Sequence, residues 1–116
     1  MRHYETVFIL SPVLSSDEIK ASIARYRSFL VERNATIAHE EEIGLKPLAY
    51  QIKHKKNGVY HLIEFVSEPS LIKELEVTYA RDEAILRFLT FALDKHALAH
   101  NMERRSNGKK ESKKEL

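Results

Sequence analysis

The chain has 116 residues with 19 Lys and Arg against 17 Asp and Glu, a net charge of +2, and is 43% hydrophobic; that is one domain with enough apolar residues for a core. The absence of cysteine excludes a disulfide framework, a thiolate zinc site and a Cys nucleophile. No apolar run exceeds about five residues, too short for a membrane span, and the start (Arg2, Glu5, Pro12) holds no secretory h-region. A cytosolic protein is expected.

Residues 4–10, Tyr-Glu-Thr-Val-Phe-Ile-Leu, are β-branched and aromatic and stop at Ser11-Pro12, which predicts a strand and its exit. Ser15 followed by Glu18 is a capping box. Ile19, Ile23, Tyr26 and Leu30 then recur at helical spacing to about Arg33, with Asn34 suited to a left-handed C-terminal cap. From Thr36 to Lys53 the pattern is extended, interrupted near Gly44 and Pro47. Lys55-Lys56-Asn57-Gly58 predicts a hairpin turn, because Asn-Gly tolerates the positive φ values of such turns. Val59–Val66 is the returning strand. Pro69 opens a second helix carrying Ile72, Leu75 and Tyr79, Arg81-Asp82-Glu83 breaks it, and Ala84–Leu93 is a fourth strand.

Strand, helix, strand, strand, helix, strand is an α+β, ferredoxin-like βαββαβ plan: a four-stranded antiparallel sheet with two helices on one face. The expected division is a folded domain over 1–96 and a flexible basic C-terminal tail over 97–116. The tail carries six basic and three acidic side chains, net +3, which leaves −1 on the body. That distribution points to nucleic acid or an acidic surface.

Two helices cover one side of such a sheet, yet the strands carry apolar residues at both parities. Thr6, Phe8 and Leu10 oppose Val7 and Ile9; Ile63 and Phe65 oppose Tyr60 and Leu62; Leu86 and Phe88 oppose Ile85, Leu89 and Phe91. A half-solvated sheet alternates apolar and polar residues instead. An apolar open face that is buried against a partner is therefore expected; scattered exposed aliphatics are the plainer alternative.

Lys53, His54, Lys55 and Lys56 fall on the hairpin, and the antiparallel plan brings Arg81 and Arg87 to the same sheet end. Arg2 falls at the opposite end. Cations with Tyr4, Tyr50 and Tyr60 beside them suit RNA, where phosphates take cations and unstacked bases take aromatic platforms. A Lys-rich turn that keeps a sheet edge soluble accounts for the lysines equally well. The third strand, Lys56 to Phe65, matches the RNA-recognition-motif pattern weakly, because its paired stacking aromatics are missing. His96 and His100 are four apart, but Ala97 stands where a zincin has Glu. With glycine only at 44, 58 and 108, there is no phosphate cradle, and an acylphosphatase-like activity lacks its loop. No cofactor, metal, small-molecule substrate or catalytic residue is expected.

Three segments carry a family resemblance. Met1-Arg2-His3-Tyr4-Glu5-Thr6-Val7-Phe8-Ile9-Leu10-Ser11-Pro12, then Gly44-Leu45-Lys46-Pro47-Leu48-Ala49-Tyr50-Gln51-Ile52-Lys53 with Asn57-Gly58-Val59-Tyr60, and Asp82-Glu83-Ala84-Ile85-Leu86-Arg87-Phe88-Leu89-Thr90 resemble bacterial small-subunit ribosomal protein six. The similarity runs over about residues 1–95. It implies a ferredoxin-like structural protein of the cytoplasmic ribosome. Such a protein binds the central domain of small-subunit ribosomal RNA as a heterodimer with ribosomal protein eighteen, and the partner takes the open sheet face and adjoining edge. On matched positions, Arg2, Tyr4, Lys46, Tyr50 and Arg87 would contact RNA or partner; Lys53, Lys55 and Lys56 are added from charge. The chain departs from the family pattern at Lys46, where Arg is usual and a bidentate phosphate grip becomes a point charge. It departs also at Pro47, Gln51, Asn34 and Ala35. Pro47 places its strand at an edge or bulge. The alternative is a ferredoxin-like module that self-pairs through the open face without RNA specificity.

Overall fold

The computed structural model describes residues 1–104. In chain order the elements are β1 (Arg2–Leu10), α1 (Ser16–Glu32), β2 (Thr36–Ile52), β3 (Lys55–Ser67), α2 (Ser70–Arg81) and β4 (Ile85–Leu93). A further helix, α3, runs over 95–104. The strands form one antiparallel sheet in the order β2-β3-β1-β4, so the ferredoxin-like expectation holds.

Local chemistry sets the helix ends. Ser15 Oγ accepts from Glu18 N–H at 3.2 Å while Glu18 Oε1 accepts from Ser15 N–H at 3.0 Å, the reciprocal box the sequence predicts. These bonds hold the Glu18 carboxyl below its ordinary range. At the other end Asn34 adopts φ 66°. Ala35 N–H bonds Leu30 C=O and Asn34 N–H bonds Val31 C=O, a Schellman closure that a residue tolerant of left-handed backbone permits.

Ile23, Tyr26 and Leu30 of α1 and Leu71, Leu75 and Tyr79 of α2 pack onto Tyr4, Phe8, Leu10, Ile63, Phe65 and Ile85 of the sheet. Each large side chain buried there contributes about 1.5–3 kcal/mol. Two polar networks are satisfied inside this layer. Thr6 Oγ1 lies 3.1 Å from Tyr79 Oη and 2.8 Å from Thr90 Oγ1. Tyr26 donates to Asp82 Oδ2 at 2.6 Å, where Arg25 also reaches. Burial first, and for Tyr26 the carboxylate beside it, push both phenols far above the ordinary tyrosine value. At the β2 edge Arg27 donates to Glu40 from Nε at 2.9 Å, and Glu40 Oε2 lies 2.7 Å from Nε2 of the buried His61. The bond from Arg27, supported by the one from His61, draws the Glu40 carboxyl down despite its desolvation.

Three expectations need correction. The hairpin turn is Lys53-His54, not Asn57-Gly58: Ile52 pairs with Lys55, and Lys53 and His54 take φ 51° and 64°, the signs of a type I′ turn. Asn57 and Gly58 lie inside β3, opposite Pro47 and Lys46. Gly58 is there for space, since a Cβ on it would collide with Ile9 Cγ2. The second correction concerns β4. Ile9 pairs with Arg87 but Leu10 with Ile85, so Leu86 is an extra, bulged residue. The bulge reverses parity, and Ile85, not Leu86, shares the core face with Phe88. Third, residues 97–104 of the expected flexible tail are helical. Asp94 begins that helix by accepting from Ala97 N–H at 2.7 Å. The remainder of the tail, 105–116, lies outside the described residues.

Candidate nucleic-acid interface

The β1–β3 ladder ends at Leu10 opposite Val59, whereas β2 and β3 run on past it to the Lys53-His54 turn. The two strands therefore project as a hairpin arm beyond the four-stranded sheet. Edge position accommodates Pro47, whose missing N–H belongs on an edge strand. Between the Pro47–Asn57 and Ile52–Lys55 pairs, β2 spends four intervening residues against one on β3. That excess makes a wide bulge containing Leu48, Ala49, Tyr50 and Gln51.

The bulge carries Tyr50 across the sheet end to β4. Arg87 donates from Nη1 to Tyr50 Oη, and its guanidinium lies 5.3 Å from the ring centroid. Tyr50 keeps 58% of its surface exposed. Two residues 37 apart in sequence thus form one cationic–aromatic unit. Lys46, Lys53 and Lys56 are exposed on the same arm, and Lys55 is half-buried. This end of the molecule can offer point charges to phosphates and one ring face to a base.

Arg2 lies at the opposite sheet end, as the antiparallel plan expects, whereas Arg81 and Tyr4 lie elsewhere than expected. Arg2 is exposed and pairs with Ser67. Arg81 ends α2 and lines the groove between α1 and α2 with Arg25, Tyr26 and Asp82, on the helix side. Tyr4 is only 6% exposed, its ring 5.7 Å from that of Phe65. It is a core residue and no surface contact, because it shares parity with Thr6, Phe8 and Leu10.

The face opposite the helices reads in rows across the sheet. Phe91, Glu5, Glu64 and His39 form one; Leu89, Val7, Leu62 and Glu41 the next; Arg87, Ile9, Tyr60 and Gly44 the one beside the arm. Leu89 is 61% exposed and Phe91 39%, so the expected open apolar face survives mainly as a flank on β4. Gly44, at φ 91°, closes a β2 bulge that admits a residue without Cβ strain. Residue parity identifies Leu89 and Phe91, but nothing in the linear pattern signals the Tyr50–Arg87 contact.

Among the described residues no group of three or more His, Cys, Asp or Glu side chains could hold a metal. No helix among them is long and apolar enough to cross a membrane.

Comparison with known proteins agrees with this architecture. Residues 3–92 match the family model for ribosomal protein S6. The chain is 46% identical over 112 residues to small ribosomal subunit protein bS6 of Christiangramia forsetii, covering 97% of this chain and all of that one. It is 48% identical over 106 residues to the bS6 protein of Bacteroides fragilis, covering 91% and 93%. The crystal structure of 30S ribosomal protein S6 from Thermotoga maritima superposes with a TM-score of 0.78 at 29% identity, covering 91% of this chain and 97% of that one. The chain belongs to the ribosomal protein S6 family, structural and non-catalytic proteins of the small ribosomal subunit.

Proposed function

We propose that the chain binds the central domain of small-subunit ribosomal RNA jointly with ribosomal protein eighteen, working in the cytoplasmic ribosome. The observation that carries this reading is the projecting arm, where Lys46, Lys53, Lys55 and Lys56 accompany the Tyr50–Arg87 pair. The arm presents cations to phosphates, and the Leu89–Phe91 flank supplies apolar area for the protein partner. Arg2, at the far end, makes a separate contact with RNA or partner. A body of formal charge −1 holds few phosphates alone, so sharing the RNA with a second protein follows from the arithmetic.

Filter binding to a central-domain RNA fragment, with and without protein eighteen and across salt, tests this. Affinity should require the partner and fall with salt, since released counterions drive phosphate contacts. Lys46→Ala and Arg87→Ala should each weaken binding and reduce the salt slope by about 0.7–0.9. Equal binding to unrelated RNA, or binding indifferent to both substitutions, would overturn the assignment. Self-association of the chain that excludes protein eighteen would favour the self-pairing alternative.

A further inference from the structure

Two histidines serve neither the core nor the projecting arm. His96 and His100 both lie on α3 and both are exposed, and neither ring makes a hydrogen bond or ion pair among the described residues. The other histidines are engaged, enclosed or alone. His39 bonds Glu41 and His61 bonds Glu40, each at 2.7 Å; Nδ1 of His3 is buried; His54 stands by itself in the hairpin turn.

The body fixes which way α3 faces. Asp94 accepts from Ala97 N–H through its carboxylate at 2.7 Å and from Leu98 N–H through its carbonyl at 3.0 Å. Ala97 and Leu98 are half-buried and Asn101 is buried. At 3.6 residues per turn those three mark the inward side of the helix and leave positions 96 and 100 together on a side turned away from it. One turn apart, the two residues have Cβ atoms about 5–6 Å from each other. Two imidazoles can close that gap on a single ion, with metal–nitrogen bonds of about 2.0–2.1 Å.

We propose that His96 and His100 chelate one divalent transition-metal ion, Zn²⁺ in the first instance, with solvent completing its coordination. Imidazole nitrogen suits Zn²⁺, Ni²⁺ and Cu²⁺, whereas Mg²⁺ and Ca²⁺ take oxygen ligands. The same spacing supplies two zinc ligands on the helix of a zincin. Ala97 after His96 removes that motif's general base but no ligand, so the pair binds an ion without hydrolysing anything. No third carboxylate or imidazole among the described residues joins them, which makes the site open and its ion exchangeable. A bound ion ties adjacent turns of α3 together and holds the segment after β4 in helical form. None of this depends on RNA or on a protein partner.

Zn²⁺ titration of the isotope-labelled full-length chain, followed by NMR, tests the site. Saturation should come at one ion per chain, with shifts centred on the amides from His96 to Asn101 while those of Phe8 and Leu75 in the core stay put. Mg²⁺ at the same concentration should move none of them. His96→Gln and His100→Gln should each weaken Zn²⁺ binding at least roughly tenfold, because the second bond is intramolecular, and His54→Gln should change nothing. Both positions are exposed, so an otherwise unchanged spectrum verifies the fold of each variant. Zn²⁺ should slow amide exchange along α3 in the wild type and in neither variant. Binding that survives either substitution overturns the proposal. So do shifts centred on His3 that His3→Gln removes, since they place the ion at the start of β1. Saturation at half an ion per chain with a doubled molecular mass overturns it as well, by assigning the ion to a bridge between two copies.

Discussion

Gly58→Ala isolates the packing that anchors the arm. Gly58 is buried in β3 at the root of the arm, and an added Cβ would run into Ile9 Cγ2, with Leu48 Cδ2 3.4 Å away on the other side. The obstructing methyl sits on a β-branched carbon whose χ1 is stiff, so the backbones of β1 and β3 must separate for relief. Overpacking of this kind costs about 1–3 kcal/mol. Gly58 has no positive φ requirement, so the backbone itself tolerates alanine. Once the obstruction is removed, alanine should stabilise by about 0.4–1 kcal/mol through the unfolded chain. Ile9→Ala removes it. Urea unfolding of the wild type, both single variants and the double variant forms a cycle. Gly58→Ala should destabilise the chain that keeps Ile9 and be neutral or favourable in the Ile9→Ala variant, a coupling of about 1–3 kcal/mol. Equal effects in the two backgrounds would refute steric contact as the reason for glycine here. The same cycle read by RNA binding would show whether the arm's root must be tight for its tip to act.

Other expectations follow from single contacts. Thr6→Val leaves the Tyr79 hydroxyl buried without its bond and should cost about 1–3 kcal/mol by urea unfolding; Thr6→Val combined with Tyr79→Phe should recover much of it. Ser15→Ala should cost about 1 kcal/mol, seen as a lower midpoint, because Glu18 N–H loses its acceptor. His54→Gly relieves a left-handed residue in the turn and should stabilise by up to about 1–2 kcal/mol without removing a lysine. Glu40 has its carboxyl lowered chiefly by Arg27, so its ionised form favours the folded state. That stability is present above its ordinary value of 4.5 and is lost as pH falls below it. Glu40→Gln should flatten the acid limb of a stability–pH profile, and an unchanged limb would remove Glu40 from the account.

Much of the fold is legible in the sequence because local and tertiary preferences agree. The Ser15–Glu18 box, the Ile23–Tyr26–Leu30 stripe and Asn34 mark α1 in the sequence itself, and packing demands nothing different. The turn falls elsewhere than its sequence signal for a definite reason. Asn57-Gly58 carries the stronger intrinsic turn preference, but Ile9 needs the space over Gly58, which commits that glycine to a strand. Lys53 and His54 then accept a backbone they do not favour. Chemical type alone assigns Tyr4 to the surface, although its parity with Phe8 already places it inside. The β4 bulge at Leu86 is invisible in the linear text, because one extra residue moves Ile85 onto the face of Phe88 without changing composition. The Tyr50–Arg87 contact depends on a bulge in a different strand, and no periodicity records it.

The two faces of the sheet divide the labour. On the helix side the polar groups of Thr6, Tyr26, Glu40 and Tyr79 bond one another or the helices, a closed arrangement that fixes helix positions. Three arginines of that side are similarly committed: Arg25 to Asp82, Arg27 to Glu40 and Arg33 to Glu74. The arm is built otherwise. Its lysines are exposed or half-buried, and Arg87 is held by a neutral phenol rather than a carboxylate, so its full charge faces outward. A net charge of +2 therefore understates what the molecule offers a phosphate. Internal ion pairs consume three helix arginines, while the arm groups Lys46, Lys53, Lys55 and Lys56 with Arg87 at one sheet end, where their charge acts locally. Arg87→Lys is the sharpest probe of that division. It keeps the charge but loses the planar group that meets Tyr50, so RNA affinity should fall if the pair acts as a unit. It should hold if charge alone matters, and stability by urea unfolding should barely change for a group this exposed.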